Sequence, residues 1–177
     1  WAAMENHTDI VDLLLRTQSD INLRNDAGYT ALMYAAESDR RNIVLDLLAK
    51  GADITGRNAY QETVLMMMAR HGQTDIVEQL VTLGADVHAI NKIGDTALYL
   101  AVDNGHTYTA AALIKAGGDV NASNIGDWTP LMMACARGEL DTISLLLANG
   151  ATVTPVNYWG RTAMAEAKQS FRAEEAI

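Results

Sequence analysis

The segment GDTALYLAV, residues 94–102, recurs with variations along the chain at a fixed interval of 33 residues. Its threonine belongs to a column in which leucine or methionine follows two residues later: Thr30, Thr63, Thr96, Thr129 and Thr162. Two glycine columns keep the same interval, Gly51, Gly84, Gly117 and Gly150, and Gly72, Gly105 and Gly138. Such a period is typical of a solenoid, in which each unit is too small to bury its own apolar face and stacks on its neighbours.

Each unit has the pattern of two short helices. The column threonine predicts a helix N-cap, because its hydroxyl can accept a hydrogen bond from a backbone N–H of the first turn. Pro130 suits the first helical position. The first helices are therefore predicted at residues 31–38, 64–71, 97–104, 130–137 and 163–170. A second helix with apolar residues at helical spacing follows in each unit and ends at the Gly51 column. The remainder, rich in Asn, Gly and Asp, predicts a turn or hairpin.

The segments GYTALMYAA, GDTALYLAV, DWTPLMMAC, GADITGRN and GADVHAIN resemble ankyrin repeats. The resemblance covers the whole chain and implies an all-α ankyrin-repeat solenoid with short β-hairpin loops. We interpret residues 1–177 as one ankyrin-repeat domain with four complete repeats, at 26–58, 59–91, 92–124 and 125–157. Residues 1–25 and 158–177 are expected to form a partial first repeat and a partial cap. The methionine-rich style with little proline is similar to bacterial members of the family.

Both ends depart from the repeat pattern. Trp1 stands where Tyr34 stands in the next unit, so the chain is expected to begin inside a first helix, with upstream sequence missing. Phe171 replaces the turn glycine, and the polar residues 172–176 predict a capping helix cut short at Ile177. Asparagine fills the position five residues before every column threonine: Asn25, Asn58, Asn91, Asn124 and Asn157. Its neutral amide is expected to link hairpins with little sensitivity to acid.

The composition limits the classes of partner. The chain has 22 acidic and 13 basic residues and a formal charge of −9, which argues against nucleic acid or an anionic membrane and favours a basic protein surface. No apolar run is long enough to span a bilayer. The single cysteine excludes an internal disulfide and fits cytoplasmic, periplasmic or secreted settings. We expect a soluble monomer and leave its compartment open.

No group of residues in the sequence predicts catalysis, a metal site or a cofactor. Cys135 aligns with Ala36, Ala69 and Val102 on the buried face of the first helix, so a packed thiol is expected. The histidines share no metal-ligand spacing. His106 falls in a column where ankyrin repeats often have a structural histidine, whereas His71 is expected to face outward. The methionines at Met33, Met66 and Met132 are expected to be half-buried core residues. We therefore predict a protein without enzymatic activity.

The resemblance also implies where binding residues lie. They are expected on the hairpin tips and the outer face of the first helix, at positions four, three and one before the column threonine and seven and eight after it. Aromatic residues concentrate there, and Tyr, Trp and Arg carry most interface energy. The predicted protein-binding residues are Tyr29, Glu37, Tyr60, Glu62, Arg70, His71, Ile93, Asp95, Asp103, Ile125, Trp128, Arg137, Tyr158, Trp159 and Arg161. Acidic residues dominate this set in the first repeats, and aromatic and basic residues in the last two.

These features predict a module that binds a protein partner through its concave face and hairpin tips. An inhibitor or immunity protein that blocks the active site of a partner enzyme stays open as an alternative, because inhibition is a form of binding. A third interpretation is a passive substrate of a modifying enzyme. Asn22, His88 and Asn121 lie in a column that resembles the sites modified in animal ankyrin repeats by an asparagine and histidine hydroxylase.

Overall fold

The structure is a computed structural model that describes residues 2–17 and 20–174. The helices of this part are α1 (Thr8–Arg16), α2 (Ala31–Glu37), α3 (Arg41–Ala49), α4 (Val64–Arg70), α5 (Thr74–Thr82), α6 (Ala97–Asp103), α7 (Thr107–Lys115), α8 (Pro130–Arg137), α9 (Leu140–Ala148) and α10 (Ala163–Glu174). The first helices α2, α4, α6, α8 and α10 pack on one another in chain order, and the second helices α5, α7 and α9 form a parallel layer. The predicted all-α repeat solenoid is confirmed.

The column threonines start the first helices as predicted. The hydroxyls of Thr30, Thr63, Thr96 and Thr129 accept hydrogen bonds from the backbone N–H three residues later, at 3.2, 3.3, 3.1 and 3.3 Å. Helix α8 has the predicted bounds, whereas α2, α4 and α6 each end one residue earlier than predicted. The glycine column follows these helices in the left-handed region, with φ of 69° at Gly72, 75° at Gly105 and 71° at Gly138.

The core is one row of similar layers. Leu32, Leu65, Leu98 and Leu131 are all buried at the same position of successive first helices. Met33, Met66 and Met132 are fully buried rather than half-buried, because the first helices that carry them pack against the first helices of neighbouring repeats. Cys135 is buried as predicted, and burial raises the pKa of its thiol.

Two local predictions are wrong. Residues 2–6 form turns, not the end of a helix, and Asn6 at their end has a left-handed backbone with φ of 62°, which a right-handed helix does not contain. Helix α10 runs past its predicted end at residue 170 and continues to Glu174, because Phe171 stands where a glycine would end the helix. The stretches predicted as turns or hairpins are turns, and among the described residues the single β-bridge joins Ile90 and Thr96. Trp1 and residues 175–177, for which the sequence also made predictions, lie outside the described residues.

Candidate binding surface

Five projecting turns, which we call the hairpin row, lie at residues 25–29, 58–62, 91–95, 124–128 and 157–161. The asparagine that opens each turn holds its shape. In the second turn, for example, the Asn58 side-chain oxygen accepts hydrogen bonds from the backbone N–H groups of Tyr60 and Glu62, both at 2.9 Å. The same pair of bonds occurs at Asn25, Asn91, Asn124 and Asn157. The asparagine column therefore shapes each turn from within.

Backbone hydrogen bonds join each turn to the next. Ala59 N–H donates to the Ala27 carbonyl at 2.9 Å, and the same bond recurs one repeat later from Lys92 to Tyr60. The series continues from Ile125 to Ile93 and from Tyr158 to Gly126, each at 3.0 Å. The expected link by asparagine amides occurs between Asn124 Nδ2 and Asp95 Oδ1, at 3.0 Å. The hairpin row is thus held mainly by a main-chain ladder.

Large apolar side chains project from this ladder into solvent. Tyr60, Ile93, Ile125, Tyr158 and Trp159 are respectively 63%, 51%, 74%, 78% and 63% exposed. They occupy only two columns of the repeat, at the tips of consecutive turns. The five side chains therefore form one apolar stripe along the hairpin row rather than scattered surface residues.

The C-terminal end of this stripe is an aromatic cluster, which we define as Trp128, Tyr158 and Trp159. The rings of Trp128 and Trp159 meet edge to face, with centroids 6.1 Å apart and planes at 76°. Tyr158 and Trp159 meet in the same way, with centroids 6.1 Å apart and planes at 87°. Such geometry is favourable between aromatic rings, so the three side chains support one another. Tyr158 and Trp159 are exposed, and Trp128 is partly buried against the core.

A shallow depression of about 300 Å³ lies further toward the N-terminus. It is lined by six of the predicted binding residues, Tyr29, Glu37, Tyr60, Glu62, Arg70 and Ile93, and by two others, Asn91 and Lys92. Tyr29 stacks on Tyr34 with ring centroids 4.8 Å apart, and burial raises the pKa of its phenol. Lys92 was not among the predicted binding residues, although its column, shared with Ile125 and Tyr158, gave a signal that could have included it.

Two of the predicted acidic groove residues are buried. Glu62 Oε2 accepts a hydrogen bond from Asn58 Nδ2 at 3.0 Å, and Asp95 accepts bonds from Asn91 and Asn124 at 3.4 and 3.0 Å. These amides draw the carboxylates beneath the turns, so Asp95 is only 4% exposed. Burial raises the pKa of Asp95 above its usual range. The hairpin row therefore contains buried carboxylates, and its expected low sensitivity to acid does not follow from the asparagine column alone.

The acids of the groove are paired with arginines of the same or the following repeat. Arg70 forms a salt bridge with Glu62 and lies 3.4 Å from Glu37. Arg137 lies 3.5 Å from Asp103 and 3.2 Å from Glu139. Because these arginines neutralise the acids beside them, the predicted acidic end of the groove is less negative than its sequence suggests. At the C-terminal end, Arg161 donates to Gln169 at 2.7 Å.

Two histidines link neighbouring first helices. His71 Nε2 is 3.0 Å from the Glu37 carbonyl, and His106 Nε2 is 3.0 Å from the Arg70 carbonyl. Both carbonyls lie at the C-terminal end of a first helix, where the intrahelical partners run out. The structural role of His106 agrees with the sequence. His71 is half-buried with its ring nitrogen engaged, because the carbonyl of the preceding repeat lies within reach, so it does not simply face outward as expected.

Two of the three residues predicted as hydroxylation sites form hydrogen bonds within the protein. Asn22 Oδ1 accepts from the Asp53 backbone N–H at 2.8 Å. Asn121 accepts from the Thr152 N–H at 2.8 Å and donates to the Gly150 carbonyl at 3.1 Å. Both side chains therefore bind the loop of the next repeat. A modifying enzyme would have to release these contacts before it reached either amide.

The described residues contain no group of three His, Cys, Asp or Glu side chains that could hold a metal ion. None of the described helices has the length and apolar character needed to cross a membrane.

Comparison with known protein families gives a consistent match over most of the chain. A model of ankyrin repeats in three copies matches residues 1–58 and 54–124, and a model of the single ankyrin repeat matches residues 126–158. No curated protein matches the chain.

Proposed function

This chain belongs to the ankyrin-repeat family, and we propose that it binds a protein partner through the hairpin row and the adjoining groove. Ankyrin repeats are in general modules of protein–protein interaction and are typically not enzymes. The proposal treats residues 1–177 as one binding domain and the partner as a protein with a basic surface, since the formal charge of the chain is −9.

The observation that carries the proposal is the apolar stripe along the hairpin row. Its five large side chains are each more than half exposed, on turns that are fixed to one another by main-chain hydrogen bonds. Exposed apolar groups in a contiguous patch mark interaction sites, because a partner that covers them removes apolar surface from water. The rigid ladder lowers the entropy cost of binding, since the side chains are already positioned.

The surface divides into two parts with different chemistry. The aromatic cluster offers large rigid rings, the residue type that carries most interface energy. The groove next to the earlier repeats contains Glu37 and Asp103, whose side chains keep about two fifths of their accessible surface. We therefore expect the cluster to supply most of the affinity and the groove acids to attract a basic partner.

The test uses a phage-displayed library of random peptides selected against the immobilised chain. Selected binders are then measured against Trp128→Ala and Trp159→Ala, and we expect each change to cost on the order of 2 kcal/mol, mainly through faster dissociation. Tyr108→Ala is the matched control, because Tyr108 lies on α7, outside the hairpin row, and is 86% exposed. Binders that lose affinity only with Tyr108→Ala would move the binding surface to the second helices.

A further inference from the structure

The aromatic cluster has three open hydrogen-bond donors. In the described part of the chain, neither indole N–H, of Trp128 or of Trp159, donates to another residue, and the Tyr158 hydroxyl has no hydrogen bond either. Tyr158 and Trp159 are 78% and 63% exposed, whereas Trp128 is partly buried but has no buried side-chain nitrogen without a partner, so its indole N–H keeps contact with solvent. Aromatic side chains at interfaces generally combine an apolar ring with a polar group that bonds to the partner. The cluster therefore offers both apolar ring surface and donors on one side of the molecule.

The rings form a stepped surface. Successive planes meet at 76° and 87°, so the face of one ring is bordered by the edge of the next. Steps of this kind suit a ligand that presents compact, rigid apolar groups at short intervals along an extended backbone. Pyrrolidine rings on a polyproline II helix have this form, with three residues per turn and no internal hydrogen bonds.

The backbone beneath the cluster is fixed. Tyr158 N–H donates to the Gly126 carbonyl at 3.0 Å, which joins the two turns that carry the three rings. The Trp128 ring lies close over Gly126, where an added Cβ would come within 3.2 Å of the ring carbon Cδ1. The spacing of the rings is thus set before any partner arrives. A preformed surface matches a preformed ligand, because neither has to lose much conformational entropy.

Hydrogen bonding and charge indicate which kind of peptide the aromatic cluster binds. An α-helix satisfies its own carbonyls, whereas a polyproline II backbone leaves every carbonyl free to accept from the open indole and phenol donors. The cluster itself carries no charge, and the neighbouring Arg161 already donates to Gln169. We propose that the aromatic cluster binds an extended, proline-rich segment of the partner in the polyproline II conformation. This inference rests on the proposed function and specifies the ligand of that surface.

The direct test is an NMR titration of the full chain with a capped ten-residue oligoproline peptide. We expect the indole N–H signals of Trp128 and Trp159 to shift on addition of the peptide, and Trp159→Ala to weaken its binding by roughly tenfold or more. Tyr108→Ala is the matched control, because Tyr108 is also an exposed aromatic residue, at 86%, but lies on α7 outside the hairpin row. Its affinity for the peptide should stay within about twofold.

A second variant separates the ring from its donor. Trp159→Phe keeps an aromatic ring but loses the indole N–H, so it should bind the oligoproline more weakly than the parent and more tightly than Trp159→Ala. An amphipathic helical peptide of the same length, without proline, should leave both indole signals unchanged.

The inference is overturned if the oligoproline shifts neither indole signal, if Trp159→Ala binds it like the parent, or if the helical peptide binds the cluster instead. In each of these cases the proposed function survives as long as library-selected peptides lose affinity with Trp128→Ala. A library that yields no binder dependent on the hairpin row would instead remove the proposed function itself.

Discussion

At the scale of single residues, one glycine column contains two exceptions in the same backbone conformation. Gly28, Gly94 and Gly160 precede the column threonine with φ of 77°, 82° and 70°, and Gln61 and Asp127 occupy the column with φ of 61° and 58°. The left-handed conformation has a steric free-energy cost for any residue with a Cβ. The cost is smaller for aspartate, whose short polar side chain can form a local hydrogen bond, than for glutamine.

We expect Gln61→Gly to raise the free energy of unfolding by about 1 kcal/mol, because removal of the steric cost exceeds the extra chain entropy of glycine in the unfolded state. Urea unfolding checks the value. Asp127→Gly should give a smaller gain, and Gly94→Ala should destabilise, since its Cβ would come within 3.0 Å of the Asn124 backbone. A loss of stability in Gln61→Gly would show that the glutamine side chain contributes more than its conformation costs.

Asp95 makes a pH-dependent contribution to stability. Burial is the main cause that raises its pKa in the folded state, with Asp103 adding to the rise and Asn124, Asn91 and Arg70 opposing it. A raised pKa means that the folded chain binds the proton more tightly than the unfolded chain, whose value is near 3.8. The stability supplied by Asp95 is therefore fully present below that value and falls as the pH rises through the folded pKa.

We expect Asp95→Asn to abolish this fall, and the difference in unfolding free energy between parent and variant measures it. The difference should change with pH above about 3.8 and stay constant below it. The pKa values of Asp53 and Asp75 are lowered, mainly by hydrogen bonds from Thr55 and Arg41. The stability that these two residues supply is therefore lost as the pH falls below 3.8, and this loss is the same in the parent and the variant. Their contribution cancels, so a difference that changes only below pH 3.8 would contradict the assignment to Asp95.

At the scale of an element, helix α9 contrasts a buried leucine with an exposed neighbour. Leu146 is fully buried, and the adjacent Leu147 is 45% exposed. Leu146→Ala should cost roughly 2–5 kcal/mol by leaving a cavity among packed helices, whereas Leu147→Ala should cost less than about 1 kcal/mol. Leu80, fully buried in α5, is expected to behave like Leu146.

The same substitution tests how stability is distributed. Each repeat contacts only its neighbours, so Leu146→Ala should lower hydrogen-exchange protection first in α7, α8, α9 and α10. Protection in α2 and α3 should fall later or less. An equal loss in every helix would contradict a nearest-neighbour array.

At the scale of the whole molecule, charge is expected to act on the rate of partner encounter. Glu37 and Asp103 are the accessible acids of the groove ion pairs, so Glu37→Lys and Asp103→Lys each remove one acid from beside an arginine and make the groove more positive. Association with a basic partner should slow at low salt, and the difference should shrink toward physiological ionic strength.

Surface-plasmon kinetics with a library-selected basic peptide check this prediction at two salt concentrations. Glu78→Lys, on the α5–α7 side of the molecule, is a control with the same change in net charge. Variants that change only the dissociation rate would place Glu37 and Asp103 in direct contact with the ligand rather than in long-range attraction.

The repeat, the helix ends and the core positions could be predicted from the spacing of residues in the sequence. The threonine column fixed the start of each first helix, the glycine column its end, and the leucine column the core, because caps, left-handed turns and helical periodicity act over a few residues. The repeat also predicted that the apolar residues at the turn tips lie in two columns. Helix α10 continues past Phe171 because the turn glycine that ends the earlier first helices is absent at this position.

Only the tertiary structure decided how the columns meet across repeats. Glu62 and Asp95 share a position with Tyr29 and Trp128, yet the asparagine amides draw the two carboxylates beneath the turns. The pairing of Arg70 with Glu37 and the edge-to-face contact of Trp128 with Trp159 likewise join residues from different repeats. Such contacts depend on the angle between stacked units and on competition among side chains for the same partner. A period of 33 residues specifies which residues are neighbours but not which of them bond.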